Sequence, residues 1–191
     1  MVGMIQKVLV NLLLRVGGQE TLNEVLRKAG VPEDRNFRID TAYSDEEWNR
    51  LLAATLEVLK VDDVTALKLY AEEFYNYAKN VFPVWFEMSK NSYQFLYRQP
   101  QVHNNFATGV TNKEERKYIE DKFHIEAFDG VEGKKLITHY RSRNKLCKLY
   151  KLLAVHIIDH YKDQATITET KCLHNGDAEC EIHINWQELN A

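Results

Sequence analysis

The chain has 191 residues, of which 45% are hydrophobic, and its formal net charge is −3 at pH 7. This length suits one large domain or two small, tightly packed ones, and the apolar content is enough to build a buried core. The weak negative charge gives no reason to expect nucleic acid or an anionic membrane as a constitutive partner.

Neither a membrane anchor nor a disulfide framework is expected. The apolar run over residues 4–15 is interrupted by Lys7 and Arg15, is too short to span a bilayer and lacks a small-residue cleavage site. We therefore expect a cytoplasmic protein. Three cysteines, an odd number, favour thiol or metal chemistry over disulfide bonds in such a reducing compartment.

The first half of the chain predicts a succession of amphipathic helices. The first helix is expected to end at Gly17-Gly18. Ser44 and Glu47 form a capping box at the start of a later helix. Asp62 is expected to cap a long helix that Pro83 closes. The helical spacing of apolar residues then continues to about residue 103.

The second half changes to short alternating runs separated by turns. Residues 122–128 and 134–140 alternate as two strands, and a helix with one apolar side follows them. Residues 165–172 and 179–186 alternate around a tight hairpin signal at residues 174–177. The sequence therefore predicts two strands, a helix and two further strands.

This order of elements predicts an α+β protein. An N-terminal helical subdomain is followed by a mostly antiparallel four-stranded sheet with packed helices. We expect a single domain over residues 1–191. Its helical subdomain covers about residues 1–62, and the subdomain that holds the sheet covers about residues 63–191.

His103 lies at the joint between these two patterns. A neutral imidazole nitrogen is a good ligand for a metal or for heme iron, so His103 is a candidate axial ligand. The alternative is a histidine that is simply hydrogen-bonded at the junction. Other residues further along the chain decide between the two.

A polar cluster follows the second predicted strand. Tyr140 and Ser142 point to one face of an extended strand and offer two hydroxyl groups, which Arg141 and Arg143 flank. Such a cluster suits a carboxylate or a phosphate, because arginine binds those groups with two parallel hydrogen bonds. The alternative is an ordinary solvated basic run at a helix N-terminus.

The three cysteines form a second candidate site. Cys172 and Cys180 flank the predicted hairpin and would lie directly opposite each other, and Cys147 is on the preceding helix. Three thiolates and one further donor make a tetrahedral zinc site, with Glu169 or His174 as the fourth ligand. Strand alternation turns Glu169 away from Cys172, so its participation requires a β-bulge. The alternative is three small buried hydrophobic side chains.

These segments together resemble the heme–nitric oxide/oxygen-binding (H-NOX) domain family, which includes the sensor domain of soluble guanylate cyclase. The resemblance rests on the Met-Val-Gly start, Phe82-Pro83, the run from Phe95 to His103, residues 140–144 and the tail from Cys172 to Cys180. It implies a fold over nearly the whole chain and a sensor function without catalysis.

The resemblance also implies a role for individual residues. The axial ligand of heme b would be His103, and Tyr140 and Ser142 would bind the heme propionates through the family pattern Tyr-x-Ser-x-Arg. Asn144 stands where that pattern has arginine, so Arg143 or Lys145 would have to supply the charge. Some members bind zinc through cysteines that match those of this chain, with a histidine in place of the glutamate.

The family resemblance also predicts the ligand and the partner. Oxygen-binding members carry a distal tyrosine at the position of Leu149, and Phe74 would face the same pocket. Neither residue has a hydrogen-bond donor. We therefore expect nitric oxide, or carbon monoxide, to bind ferrous heme. The alternative is that a small helix rotation turns a hydroxyl inward from Tyr150 or from Tyr70, Tyr75 or Tyr77, which would allow oxygen to bind. A separate histidine kinase, cyclase or chemotaxis protein would respond to it.

A rival resemblance covers only the C-terminal half. Residues 172–180 are equally similar to the four-vinyl-reductase domain, which binds small organic effectors. That reading predicts an effector-binding module without heme. A third possibility is an interaction domain that binds no ligand in its core.

Overall fold

The computed structural model describes residues 2–130 and 133–190, and it confirms the predicted α+β class. Among these residues, no helix is both long and apolar enough to cross a membrane. A short 3-10 turn lies at Leu173–Asn175. The other elements are α1 Met4–Lys28, α2 Asp45–Leu59, α3 Asp63–Val81, α4 Pro83–Glu87, α5 Ser92–Tyr97, α6 Gln99–Ala107, α7 Lys113–Glu120, β1 Phe123–Gly130, β2 Gly133–Tyr140, α8 Cys147–Tyr161, β3 Gln164–Lys171 and β4 Cys180–Glu188.

The helix boundaries follow the local signals in the sequence. Gly18 adopts φ 70° and ψ −168°, so α1 is kinked where the first helix was expected to end. The Ser44 hydroxyl accepts a hydrogen bond from the amide of Glu47 at 3.0 Å, which caps α2. The Asp62 carboxylate accepts one from the amide of Thr65 at 2.7 Å and caps α3 in the same way. The break at Gly18 and the two N-caps are confirmed, but the capping box is only half formed: among the described residues the Glu47 carboxylate makes no return bond to the amide of Ser44, and its Oε2 lies 3.5 Å from Arg35.

The four strands form one antiparallel sheet in the order β1-β2-β4-β3. The predicted hairpin between β3 and β4 is confirmed, since the two strands pair antiparallel, but its turn is not tight: the connection covers residues 172–179 and contains the 3-10 turn. On the β2 side of β4, Cys180 lies opposite Tyr140. On the β3 side the last pair joins Lys171 to Glu181, and the same register continues to Cys172 and Cys180 where the connection begins. A β-bulge interrupts the pairing between Glu169 and Lys171, as a role for Glu169 in the cysteine cluster requires.

Two large hydrophobic cores meet along α8. The first is formed by α1, α2 and α3 together with Leu149 of α8. The second lies between the sheet and α8, and it includes Tyr150, Ala154 and Ile157 from the same helix. A smaller third cluster joins the N-terminal segment to α6 and α7. Because α8 packs into both large cores, side chains from the helical part and from the sheet meet at the junction of the two cores, where an internal cavity lies.

Candidate functional site

An apolar cavity lies where the two large cores meet. Its walls include side chains from α1, α3, α5, α6, β2 and α8. Of the residues that the sequence assigned to a cofactor, Arg143 is the one that does not line this cavity. The others line it together: Phe74, His103, Tyr140, Ser142, Asn144 and Leu149. Residues from distant parts of the chain therefore converge on one apolar space.

The imidazole of His103 has the properties of a ligand for iron. Its Nδ1 atom is buried and makes no hydrogen bond to any residue within 2–130 and 133–190. Burial and the positive charge of Lys122 lower the pKa of His103 to about 4, against an opposing interaction with the side chain of Asn104, so the ring is neutral at pH 7. A neutral imidazole whose buried nitrogen is unpaired is costly unless something coordinates or hydrogen-bonds it. His103 therefore fits the role of a heme ligand.

Tyr140 and Ser142 present buried hydroxyl groups to the same cavity. The amide of Leu146 donates to the Tyr140 hydroxyl at 3.3 Å, and the amide of Asn144 donates to the Ser142 hydroxyl at 3.3 Å. Burial raises the pKa of Tyr140 well above its usual range, so the phenol keeps its proton. Both groups can donate hydrogen bonds to an anion, which fits a carboxylate such as a heme propionate.

The basic side chains next to these hydroxyls lie elsewhere. Arg141 forms an ion pair with Glu179, with 2.7 Å between Nε and Oε2. The exposed guanidinium of Arg143 lies over the ring of Tyr118, 4.8 Å from its centroid. The side-chain amide of Asn144 donates to Asp45 at 2.9 Å. The side chains of residues 141–144 therefore bring no positive charge into the cavity.

Lys122 is the residue that the sequence analysis missed. Its side chain lines the cavity although only 6% of the residue is exposed to solvent. Burial lowers the pKa of its ammonium group, and the charge of Arg143 lowers it further, whereas the carboxylate of Asp45 opposes both effects. Among the described residues that line the cavity, no other lysine or arginine is present. No sequence pattern indicates this burial, since Lys122 follows a polar segment that is typical of a surface helix.

In the described part of the chain, each tyrosine hydroxyl that lines the cavity has a hydrogen-bond partner in the protein. The Tyr150 hydroxyl is hydrogen-bonded to that of Thr138 at 2.8 Å, and burial raises the pKa of Tyr150 to about 12. The Tyr75 hydroxyl is 2.8 Å from Nδ1 of His160. Next to them, Leu149 and Phe74 contribute only carbon. This part of the cavity wall is therefore poor in donors.

The three cysteines converge at the N-terminus of α8. All three are free and buried, and the Sγ atoms of Cys147 and Cys172 are 3.8 Å apart. These thiols, that of Cys180 and a carboxylate oxygen of Glu169 all lie within 4.8 Å of one another. Burial raises the pKa of Cys147 and of Cys180, so both remain protonated unless a cation binds. His174, the alternative ligand, instead contacts the carbonyl oxygen of Lys145 at 2.9 Å.

The sequence of this chain matches a known family over most of its length. The family described as Haem-NO-binding matches residues 2–169. The chain belongs to this family. This haem-NO-binding domain is 37% identical to soluble guanylate cyclase gcy-37 of Caenorhabditis elegans. The matched region covers 135 residues, which is 69% of the chain. The match spans only 18% of that relative, so the chain corresponds to a small part of it.

Solved H-NOX structures share the fold of this haem-NO-binding domain. An H-NOX protein from S. oneidensis in the Fe(II)NO ligation state superposes with a TM-score of 0.74, covering 98% of this chain and 100% of that one at 19% identity. An oxygen-binding H-NOX domain related to soluble guanylate cyclases, in its oxygen complex, gives a TM-score of 0.77 with 99% and 96% coverage at 16% identity. At these identities the likeness establishes the fold.

Proposed function

We propose that this domain is a gas sensor that binds heme b with His103 as the axial ligand. The observation that carries the proposal is the buried Nδ1 atom of a neutral imidazole, unpaired among the described residues, in the wall of an apolar cavity. Tyr140 and Ser142 supply hydroxyl donors for the propionates at the same cavity. When bound, ferrous heme supplies an iron atom that coordinates diatomic gases.

Reconstitution with hemin tests the heme proposal. We expect the wild type to develop a Soret band, and His103→Ala to lose it or to regain it only when imidazole is added. The matched control is His124→Ala, because His124 is exposed and its loss should leave the band unchanged. A wild type that stays colourless after reconstitution would refute heme binding and favour a small-molecule effector module of the four-vinyl-reductase kind.

We further propose that the domain binds nitric oxide, that carbon monoxide can bind in the same way, and that dioxygen is not retained. Dioxygen is retained on ferrous heme when a hydrogen-bond donor faces it, whereas nitric oxide binds strongly without one. Leu149 and Phe74 offer no donor, and the hydroxyl of Tyr150 already bonds to Thr138. The missing hydrogen bond is worth up to about 4–6 kcal/mol in an apolar environment.

Exposure of the reduced, heme-loaded protein to air tests the choice of gas. We expect rapid oxidation without a stable dioxygen complex, and a stable complex after nitric oxide is added instead. Tyr150→Phe should change neither result. A long-lived dioxygen spectrum that Tyr150→Phe abolishes would contradict the assignment to nitric oxide.

We propose that the domain signals to a separate histidine kinase, cyclase or chemotaxis protein in the cytoplasm and has no catalytic role of its own. The supporting feature is α8, which packs into both large cores and lines the cavity between them. A shift of α8 would move the helical part relative to the sheet. Amide hydrogen exchange in α8 should therefore change when nitric oxide is added to the heme-loaded wild type. Unchanged exchange would contradict this route.

We also propose that Cys147, Cys172, Cys180 and Glu169 bind one zinc ion. The supporting observation is the grouping of their ligand atoms within 4.8 Å, which the bulge beside Glu169 makes compatible with the strand. Elemental analysis of anaerobically purified protein should find one zinc per chain, and Cys180→Ser should lower both zinc content and stability. Glu169→His should retain zinc better than Glu169→Ala. Zinc-free wild type would contradict the zinc site and leave packing or redox chemistry as the role of the thiols.

A further inference from the structure

Lys122 is a buried cation whose position the proposed heme site does not yet explain. It lies in the turn between α7 and β1, where its carbonyl oxygen accepts a hydrogen bond from the amide of Arg141 at 2.9 Å. That bond fixes Lys122 beside the segment that contains Tyr140 and Ser142. The three side chains line the same cavity, and all three residues are buried.

The ammonium group of Lys122 has no close anionic partner in residues 2–130 and 133–190. It makes no ion pair within 4.0 Å there, and it lies over the face of Tyr118, with 4.8 Å between Nζ and the ring centroid. The carboxylate of Asp45 attracts it without forming an ion pair within 4.0 Å, while Arg143 repels it. Burying an ammonium with so little compensation is unfavourable, and a carboxylate bound in the cavity would offset that cost.

We infer that Lys122 binds a heme propionate and supplies the positive charge that Asn144 lacks. The inference rests on the proposed heme site and concerns which residue of this chain binds the carboxylate. Asn144 is neutral, and its amide is already bonded to Asp45. Arg143, the candidate from the sequence, is exposed and stacks on Tyr118. Lys122 is therefore the cation that is best placed to meet a carboxylate beside the two hydroxyl groups.

Affinity for two iron porphyrins tests this assignment directly. Hemin carries two propionates, whereas its dimethyl ester has the same ring without the negative charges. We expect the ratio of the two affinities, hemin over ester, to be about ten- to a hundredfold larger in the wild type than in Lys122→Met. A general loss of packing would weaken both ligands alike and leave the ratio unchanged. Lys122→Gln provides a second neutral variant should the methionine variant fold poorly.

Two further variants serve as control and rescue. Arg143→Met removes the competing cation and should leave the ratio close to that of the wild type. Asn144→Arg in the Lys122→Met background restores a positive charge beside Ser142 and should recover much of the preference for hemin.

The outcomes separate this inference from the proposal on which it rests. If the wild type binds hemin but Lys122→Met and Lys122→Gln keep its ratio, Lys122 does not bind a propionate and the heme site still stands. A larger effect of Arg143→Met than of Lys122→Met would transfer the role to Arg143 and overturn the inference. A wild type that binds neither porphyrin would overturn the proposed function, and the role of Lys122 with it.

Discussion

A buried hydrogen-bond network fixes α5, which precedes the helix that carries His103. The Ser92 hydroxyl donates to Oδ2 of Asp163 at 2.6 Å and accepts from Nε1 of Trp186 at 2.8 Å. Ser92 is 0% exposed, and Asp163 and Trp186 are each 6% exposed, so water cannot replace a lost partner. Ser92→Ala is therefore expected to destabilise the protein more than the loss of one surface hydrogen bond would.

The magnitude follows from the two bonds that are lost. A hydrogen bond to a charged group contributes about 1.5–3 kcal/mol, and a buried donor that is left unpaired costs about 1–3 kcal/mol. Asp163 still accepts from the amides of Ser92 and Asn190, both at 2.7 Å, which limits the damage at the carboxylate. We expect Ser92→Ala to lower the free energy of unfolding by about 3 kcal/mol.

Urea denaturation of the heme-free protein, followed by circular dichroism, measures this effect. Ser44→Ala is the matched control, because it removes an exposed N-cap worth about 1 kcal/mol. Trp186→Phe removes the indole donor, so the double variant Ser92→Ala/Trp186→Phe leaves no unpaired indole. Its cost should fall below the sum of the two single costs by about 1 kcal/mol or more. Additive costs within about 0.5 kcal/mol would refute the reasoning.

Other substitutions have outcomes that the structure also predicts. Hydrogen bonds from Lys171, His183 and Thr170 lower the pKa of Glu181 to about 2 from 4.5. The stability that these bonds contribute is therefore complete above pH 4.5 and is lost as the pH falls towards 2. Lys171→Met should weaken this dependence in melting temperatures measured over a pH series. Gly109→Ala places a Cβ atom 2.6 Å from a backbone carbonyl oxygen and should lower the melting temperature, whereas Gly130→Ala meets no described residue within 4 Å and should not. Tyr150→Phe should cost about 1 kcal/mol in urea denaturation, because its hydroxyl partner in the core is left unpaired.

Local signals in the sequence predicted much of the fold. The caps at Ser44 and Asp62 depend on side chains within three residues of the helix start, and the kink at Gly18 depends on one residue, so neither needs tertiary information. Strand alternation similarly predicted β1 to β4. The tight turn was wrong because alternation does not reveal where pairing stops: Cys172 still reads as part of a strand, although the connection already begins there.

Several residues of the candidate site could be predicted from the sequence, whereas others are brought to the cavity only by tertiary packing. His103, Tyr140 and Leu149 could be proposed because their spacing resembles a known family, and the structure brings them to one cavity. Their roles as ligands stay predictions. Lys122 could not be found in this way, since a lysine in a polar segment is usually solvated and only the packing of the turn against the cavity buries it. The sequence likewise gave no sign that Asn144 would bond to Asp45.

The position of α8 has a consequence for how the protein unfolds. Leu149 belongs to the core of the helical part, and its neighbour Tyr150 belongs to the core against the sheet. Neither core can lose this helix without exposing apolar surface, so disorder in one should spread to the other. The two parts should therefore melt in one cooperative transition with equal calorimetric and van't Hoff enthalpies. A fragment that ends near residue 62 would keep α1 and α2 but lack the α3 and α8 side chains that cover them, and it should not fold alone.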